Sequence, residues 1–172
     1  MNNNRTENIL PPTPNYILVD SALWGFDMHK IKQKNKCFRS LYRGEMGEAL
    51  NRAAPYLFTV EAGSEFEKWI KQQDPVEKRV LWLHSSATIG ELRNHLRRFL
   101  RMKTAKGTYL FRFYDPHVIS CVLPHLTEEQ RKDFFGQINY IIIEDRKIEE
   151  RRTYSLTENN ELAIKQEDLC GQ

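Results

Sequence analysis

A strand–helix–strand pattern in the middle of the chain constrains the fold more than any other feature. The apolar run RVLWLHS (79–85) is typical of a buried strand. The next stretch, SATIGELRNHLRRFLRM (86–102), has apolar residues at helical spacing and opens with a capping box, Thr88 with Glu91. A second strand, TYLFRFY (108–114), follows a short loop. A crossover of this length can join parallel strands, so the pattern predicts a right-handed strand–helix–strand unit.

The rest of the chain also alternates apolar runs with amphipathic segments. Further strands are predicted at 16–20, 38–42, 55–60 and 137–145, and further helices at 44–54, 63–73, 115–126 and 127–136. Strands separated by helices predict an α/β fold, a single domain with a mixed, mainly parallel central sheet flanked by helices. This domain is expected to span 16–145, after a flexible leader (1–15) and before an edge hairpin with a polar C-terminal tail (146–172).

Composition and charge exclude several classes of protein. The net charge of +3, from 26 basic and 23 acidic residues, is too small to indicate nucleic acid by itself. The apolar runs are shorter than the roughly 18 residues that a membrane helix needs, and the polar opening lacks a secretory h-region. Three widely spaced cysteines, Cys37, Cys121 and Cys170, fit a reducing cytosol better than a disulfide scaffold. We therefore expect a cytoplasmic chain without a membrane partner.

Motifs for the common enzyme classes and cofactors do not occur in the sequence. Three residues of metal-binding types are spaced by four, His117, Cys121 and His125, just after Asp115. Imidazole and thiolate suit zinc, but the apolar residues between them set a buried helix face with this row at its border. Pro124 also distorts the last turn of the helix. We interpret the row as helix packing and predict neither a metal site nor a cofactor.

Two aspartates follow predicted strands. Asp20 and Asp115 could each be a catalytic carboxylate or a helix N-cap. A hydrolase or nuclease that uses Asp20, Asp115 or His117 is therefore one alternative function. Arg112 lies among aromatic residues and needs a partner if it is buried, and both aspartates are candidates. We predict a structural ion pair at this place.

The predicted central helix is strongly basic towards its C-terminal end. Six lysines and arginines and no acidic residue occur from Arg93 to Lys106. A nucleic-acid-binding module that uses residues 93–106 is a second alternative. Because the polar face has no interleaved aromatic residues, we favour a solvated face or a protein partner. The partner-binding residues predicted for that case are Arg93, Arg97, Arg98 and Arg101.

An ordered set of motifs resembles a known family. The motifs are YILVD (16–20), SLYRG (40–44), APYL (54–57), SSATIGELRNHLRRFLRM (85–102), FRFYDPHV (111–118) and LTEEQRKDFFG (126–136). Over residues 16–144 their order and spacing are similar to those of the family called domain of unknown function 4123, found with bacterial type VI secretion systems. The residues that we interpret as its structural signature are Asp20, Tyr42, Pro55, Tyr56, Arg112, Phe113, Tyr114, Asp115 and Pro116.

The resemblance implies an adaptor, also called an effector chaperone, and not an enzyme. Members of the family bind a toxic effector in the producing cell and help to load it onto the spike protein of the secretion system. The expected partners are therefore a secreted effector and the spike, and nucleic acid is not expected. Longer members carry an extra C-terminal lobe, whereas little more than a hairpin and a tail is expected after residue 144 here.

Overall fold

The computed structural model describes residues 13–42, 52–73, 80–145 and 148–169. The strands are β1 (Tyr16–Asp20), β2 (Phe38–Ser40), β3 (Pro55–Thr59), β4 (Val80–Ser85), β5 (Arg101–Thr104), β6 (Gly107–Leu110), β7 (Ile138–Asp145), β8 (Glu150–Leu156) and β9 (Leu162–Asp168). The helices are α1 (Ser21–Trp24), α2 (Met28–Lys34), α3 (Glu65–Lys71), α4 (Ile89–Arg97), α5 (Pro116–Val122) and α6 (Glu128–Phe135), with 3-10 turns at Gly25–Asp27 and Leu123–His125. Most of the helix predicted at 44–54 lies outside the described residues, as do residues 1–12 of the predicted leader.

Seven strands form one sheet in the order β2-β3-β1-β4-β7-β8-β9. Each neighbouring pair in this sheet is antiparallel. The prediction of a mixed, mainly parallel sheet is therefore wrong. The predicted helices do flank the sheet, but no parallel crossover joins β4 to a neighbouring strand in the described part of the chain.

The predicted parallel crossover fails in the segment after α4. The helix predicted to reach residue 102 ends at Arg97, and Arg101–Thr104 is a strand. This strand pairs with Gly107–Leu110 in a separate two-stranded sheet, which we call the ribbon (β5 with β6). Of the predicted strand 108–114, only the residues up to Leu110 form a strand, and they pair with β5 instead of entering the central sheet. Closing such a short loop costs less chain entropy than a crossover, and Gly107, the first residue of β6, has a positive φ of +140°, which favours glycine.

Alternating side chains give the central sheet two apolar faces, each covered by helices. One face packs against α4, α5 and α6, and its strand residues include Leu18, Leu57, Leu81, Leu83 and Ile141. The other face packs against α1, α2 and α3, and its strand residues include Ile17, Val19, Phe58, Trp82 and Ile142. The result is a helix–sheet–helix sandwich with the antiparallel sheet in the middle.

Local signals at the helix starts are confirmed. A side-chain oxygen accepts a backbone N–H at the three caps that the sequence offers, Asp20, Thr88 and Asp115, and the same contact occurs at Ser64 and Thr127. The segment predicted as an edge hairpin forms β8 and β9, which continue the central sheet beyond β7. None of the helices in the described ranges has the length and apolar content needed to span a bilayer.

Candidate functional site

Asp20 and Arg112 are joined by a close ion pair although 92 residues separate them. The Arg112 Nη2 atom donates to Asp20 Oδ2 at 2.5 Å. The other carboxylate oxygen of Asp20 accepts the Ala22 N–H at 3.0 Å and so caps α1. The Asp20 side chain is 2% exposed, whereas 43% of the Arg112 side chain remains exposed. The predicted structural pair is therefore present, with one buried and one half-exposed partner.

Asp115 supplies a second carboxylate to Arg112. Its Oδ2 atom lies 3.8 Å from Arg112 Nη2, and its Oδ1 atom accepts the His117 N–H at 2.9 Å to cap α5. The hydrogen bond to Asp20 raises the pKa of the Arg112 guanidinium further above its ordinary value. The guanidinium therefore stays charged and ties the end of β1 to the start of α5.

Tyr114 lies against this ion pair and is only 2% exposed. Burial raises the pKa of the Tyr114 phenol well above its ordinary value, and the nearby Tyr42 and Asp20 raise it further. The phenol is therefore neutral across the physiological range. Asp20, Arg112, Tyr114 and Asp115 together form a polar cluster that is buried except for part of the Arg112 side chain, and we call it the Asp20 corner.

The remaining signature residues surround the Asp20 corner. Phe113 is fully buried and packs edge-on against Phe134 of α6, with ring centroids 5.7 Å apart. Pro55 and Tyr56 lie on β3 directly opposite the last two residues of β1. Proline at the first position of a strand leaves no N–H to satisfy. The signature thus marks the place where β1, β3 and the segment before α5 meet.

The hydrogen bonds of the Asp20 corner favour a structural role over an acid–base one. Both carboxylates already cap helices and face the same guanidinium. A general acid or base must instead reach a proton of the substrate. His117, the third residue of the hydrolase alternative, is exposed on α5.

The predicted row of possible zinc ligands does not converge. His117, Cys121 and His125 are all exposed, while Ile119 and Leu123 hold the buried face of the segment. Within the described ranges, no group of three or more metal-binding side chains comes together. The structure therefore offers no set of residues there that fits a metal ion.

The four arginines predicted to contact a partner have different surroundings. Arg93 donates to the Ser40 carbonyl at 2.6 Å and to the Tyr42 carbonyl at 3.1 Å, so it ties α4 to the end of β2. Arg98 forms a 2.5 Å ion pair with Asp133 of α6. Arg93 and Arg98 therefore make intramolecular contacts that the sequence did not indicate.

The other two predicted arginines lie on either side of the end of α4. Arg97 is half-buried in the last turn of the helix, whereas Arg101 is exposed at the start of the ribbon. The sequence does not predict the ribbon, because the helical pattern extends the predicted helix through residues 101–102. The signal that could have found it is the pair of short alternating runs, RMKT and GTYL, on either side of a two-residue turn.

The ribbon exposes apolar and basic side chains side by side. Met102 lies opposite Tyr109, and Arg101 lies opposite Leu110. The exposed fractions of Met102, Tyr109 and Leu110 are 45%, 52% and 53%. Large apolar side chains exposed together on a small element are typical of an interaction surface.

Comparison with known proteins places the chain in a family. The family described as "Domain of unknown function (DUF4123)" matches residues 15–133, a range that runs from the start of β1 into α6. It contains the Asp20 corner and the ribbon. No curated protein and no solved structure matches the chain. Because the family match covers well over half of the 172 residues, the resemblance is confirmed, and this chain belongs to the DUF4123 family.

Proposed function

We propose that this chain is a non-enzymatic adaptor that binds a type VI secretion effector in the cytoplasm of the producing bacterium. In this proposal it helps to load the effector onto the spike protein of the secretion system. The observation that carries the proposal is the family match over residues 15–133. The association of that family with type VI secretion, which the sequence resemblance implies, supplies the partners.

An adaptor needs a surface that recognises its partner before delivery. The exposed apolar and basic side chains of the ribbon support such a role, because apolar area contributes affinity and charge raises the rate of association. Binding that protects one folded state of the effector stabilises that state by mass action. Release to the spike then requires only that the spike competes for the same effector segment.

Side-chain engagement supports the non-enzymatic part of the proposal. Asp20 and Asp115 are engaged in caps and in contacts to Arg112. If the chain were a hydrolase that uses Asp115, the variant Asp115→Asn would remove activity from the purified protein while the amide kept the helix cap. We expect no hydrolytic or nuclease activity in either protein. An activity of the parent chain that the folded variant loses would contradict the proposal.

Co-purification from the native host tests the proposed partners. The tagged chain, produced at its native level and crosslinked in the cell, should recover a large toxin and the spike protein by mass spectrometry. The same tag on an unrelated cytoplasmic protein of that host is the control. If neither the toxin nor the spike is enriched over the control, the adaptor function is wrong.

A further inference from the structure

We propose that the ribbon is a docking arm for an extended segment of a protein partner in which acidic and apolar residues alternate. The inference rests on the adaptor function proposed above and names the chemistry of the segment that the adaptor recognises. Four observations carry it: the open edges of the ribbon, its anchored base, the different character of its two faces, and its charge.

The edges of the ribbon are open to another strand. β5 and β6 pair with each other, and no third strand pairs with either one in the described part of the chain. An exposed strand edge presents N–H and C=O groups that pair readily with another extended chain. A two-stranded sheet is at best marginally stable in water, so a third strand would also stabilise the ribbon itself.

The base of the ribbon is held firmly in the core. The Phe111 N–H donates to the Leu100 carbonyl at 2.9 Å, which closes the pairing just below the ribbon. Leu100, just before β5, is 8% exposed, and Phe113, shortly after β6, is fully buried. Both strands of the ribbon are therefore anchored at its base. The fold therefore fixes the position of the ribbon, while the described side chains along the ribbon remain exposed to solvent.

The two faces of the ribbon select different side chains. Met102 and Tyr109 form an opposed pair and project to one face. Arg101 and Lys103, one residue away on either side of Met102, project to the other face, which Leu110 shares because it lies opposite Arg101. A strand added to either edge alternates its own side chains between the same faces. Its residues on the Met102 face should be apolar, and those on the Arg101 face should be acidic.

Charge also favours an acidic partner. No acidic residue occurs between Glu91 and Asp115, the stretch that contains the whole ribbon. Neither Arg101 nor Lys103 forms an ion pair with any residue that the structure describes. A nucleic acid is also acidic, but it has no backbone N–H groups to pair with a strand edge. The open edges therefore favour a protein segment.

A labelled peptide of alternating glutamate and valine tests the proposal on the full chain by fluorescence anisotropy. We expect binding that weakens as salt is added and that falls by about tenfold or more in the double variant Arg101→Glu with Lys103→Glu. The exchange Arg101→Lys with Lys103→Arg keeps the charge and should keep the affinity. The double variant Lys36→Glu with Arg39→Glu, which reverses two exposed charges outside the ribbon, should also bind normally.

Hydrogen exchange supplies a second readout on the same samples. The bound peptide should slow exchange of the amides of residues 101–110, as expected for an added strand. The apolar face is tested by Met102→Ser with Tyr109→Ser, which should weaken peptide binding while circular dichroism stays unchanged. Absence of binding, equal binding of a lysine–valine peptide, or equal binding of single-stranded DNA would each overturn the proposal.

Failure of this inference is distinguishable from failure of the adaptor function. If the tagged parent chain recovers the toxin and the Arg101→Glu, Lys103→Glu variant recovers as much, the ribbon is not the docking arm and the adaptor function stands. If the parent chain recovers neither toxin nor spike, the adaptor function is wrong whatever the peptide does.

Discussion

Arg112 and Asp20 form a 2.5 Å ion pair in which the carboxylate is 2% exposed. Arg98 and Asp133 form a pair of the same length, but their side chains are 57% and 51% exposed. The chain thus contains two ion pairs with similar geometry and different burial. This contrast makes the energetic role of the Asp20 corner measurable.

Replacing Arg112 with alanine should lower the free energy of unfolding by about 1–3 kcal/mol, because a hydrogen bond to a buried charge is lost. The loss should be below the roughly 3–5 kcal/mol typical of breaking a fully buried pair, since 43% of the Arg112 side chain is exposed. Arg98→Ala should cost less than about 1 kcal/mol, because its pair is solvated. Urea denaturation of the three proteins measures the difference.

If Arg112→Ala and Arg98→Ala lower the free energy of unfolding equally, burial of Asp20 does not strengthen its ion pair with Arg112. A fully stable Arg112→Ala protein that no longer binds the effector would lead to a different conclusion. Arg112 would then be a recognition residue.

Replacing Gly136 with alanine should destabilise the chain by about 1–3 kcal/mol through overpacking and backbone strain. A Cβ atom at Gly136 would lie 2.5 Å from Cε1 of His95, and the backbone φ there is +43°. His95 cannot easily give way, because its Nε2 atom lies 2.8 Å from the Phe134 carbonyl oxygen in a buried contact. Thermal unfolding measures the effect.

Gly90 is the matched control for Gly136. It lies in the first turn of α4, and the nearest atom to an added Cβ would be 4.0 Å away. Gly90→Ala should raise stability by up to about 1 kcal/mol, because alanine loses less backbone entropy in a helix. If both alanine variants are equally stable, the close approach of His95 does not limit position 136.

Glu67 should contribute a pH-dependent part of the stability. Burial by itself raises the pKa of the Glu67 carboxyl, but hydrogen bonds from Lys71 and from the Gly63 N–H outweigh burial and hold that pKa below its ordinary value. A lowered folded-state pKa contributes stability above the unfolded-state pKa, and this contribution is lost as the pH falls through the folded-state pKa.

Glu67→Gln should therefore be less stable than the parent chain at neutral pH, by about 1 kcal/mol. The gap should narrow as the pH falls below the ordinary carboxyl pKa of about 4.3. Urea midpoints measured at steps between neutral and acid pH follow this gap. If the urea midpoints of the two proteins differ by the same amount at every pH, the role assigned to Glu67 is wrong.

The two capping boxes should each stabilise a helix. Thr88 accepts the Glu91 N–H while Glu91 accepts the Thr88 N–H, and Thr127 and Gln130 make the same exchange. Thr88→Ala and Thr127→Ala should each cost about 1 kcal/mol. The change Thr108→Ala, on the exposed ribbon, should stay within about 0.5 kcal/mol of the parent chain. A loss at Thr108 as large as at the caps would contradict the assignment.

The features that the sequence predicts correctly depend on neighbouring residues or on the chemistry of a single side chain. Asp20 and Asp115 each stand directly before a predicted helix, so the sequence offers both as N-caps, and each accepts a backbone N–H two residues further on. A structural ion pair for Arg112 is predicted because an arginine among aromatic residues needs a partner, and the sequence leaves both Asp20 and Asp115 as candidates. The partial exposure of the Arg112 side chain is not predicted, because no local sequence pattern shows how far the segment before α5 lies from solvent.

The sequence by itself determined most of the helices, their caps, the strands of the core and the family. The tertiary structure decided the direction of the strands, because a strand covered on both faces has the same apolar run in a parallel or an antiparallel sheet. It also decided the secondary structure of the residues after Arg97, where a short hairpin competes with a longer helix. The exposed ribbon follows from that outcome, because strand pairing turns β6 back onto β5 and away from the core.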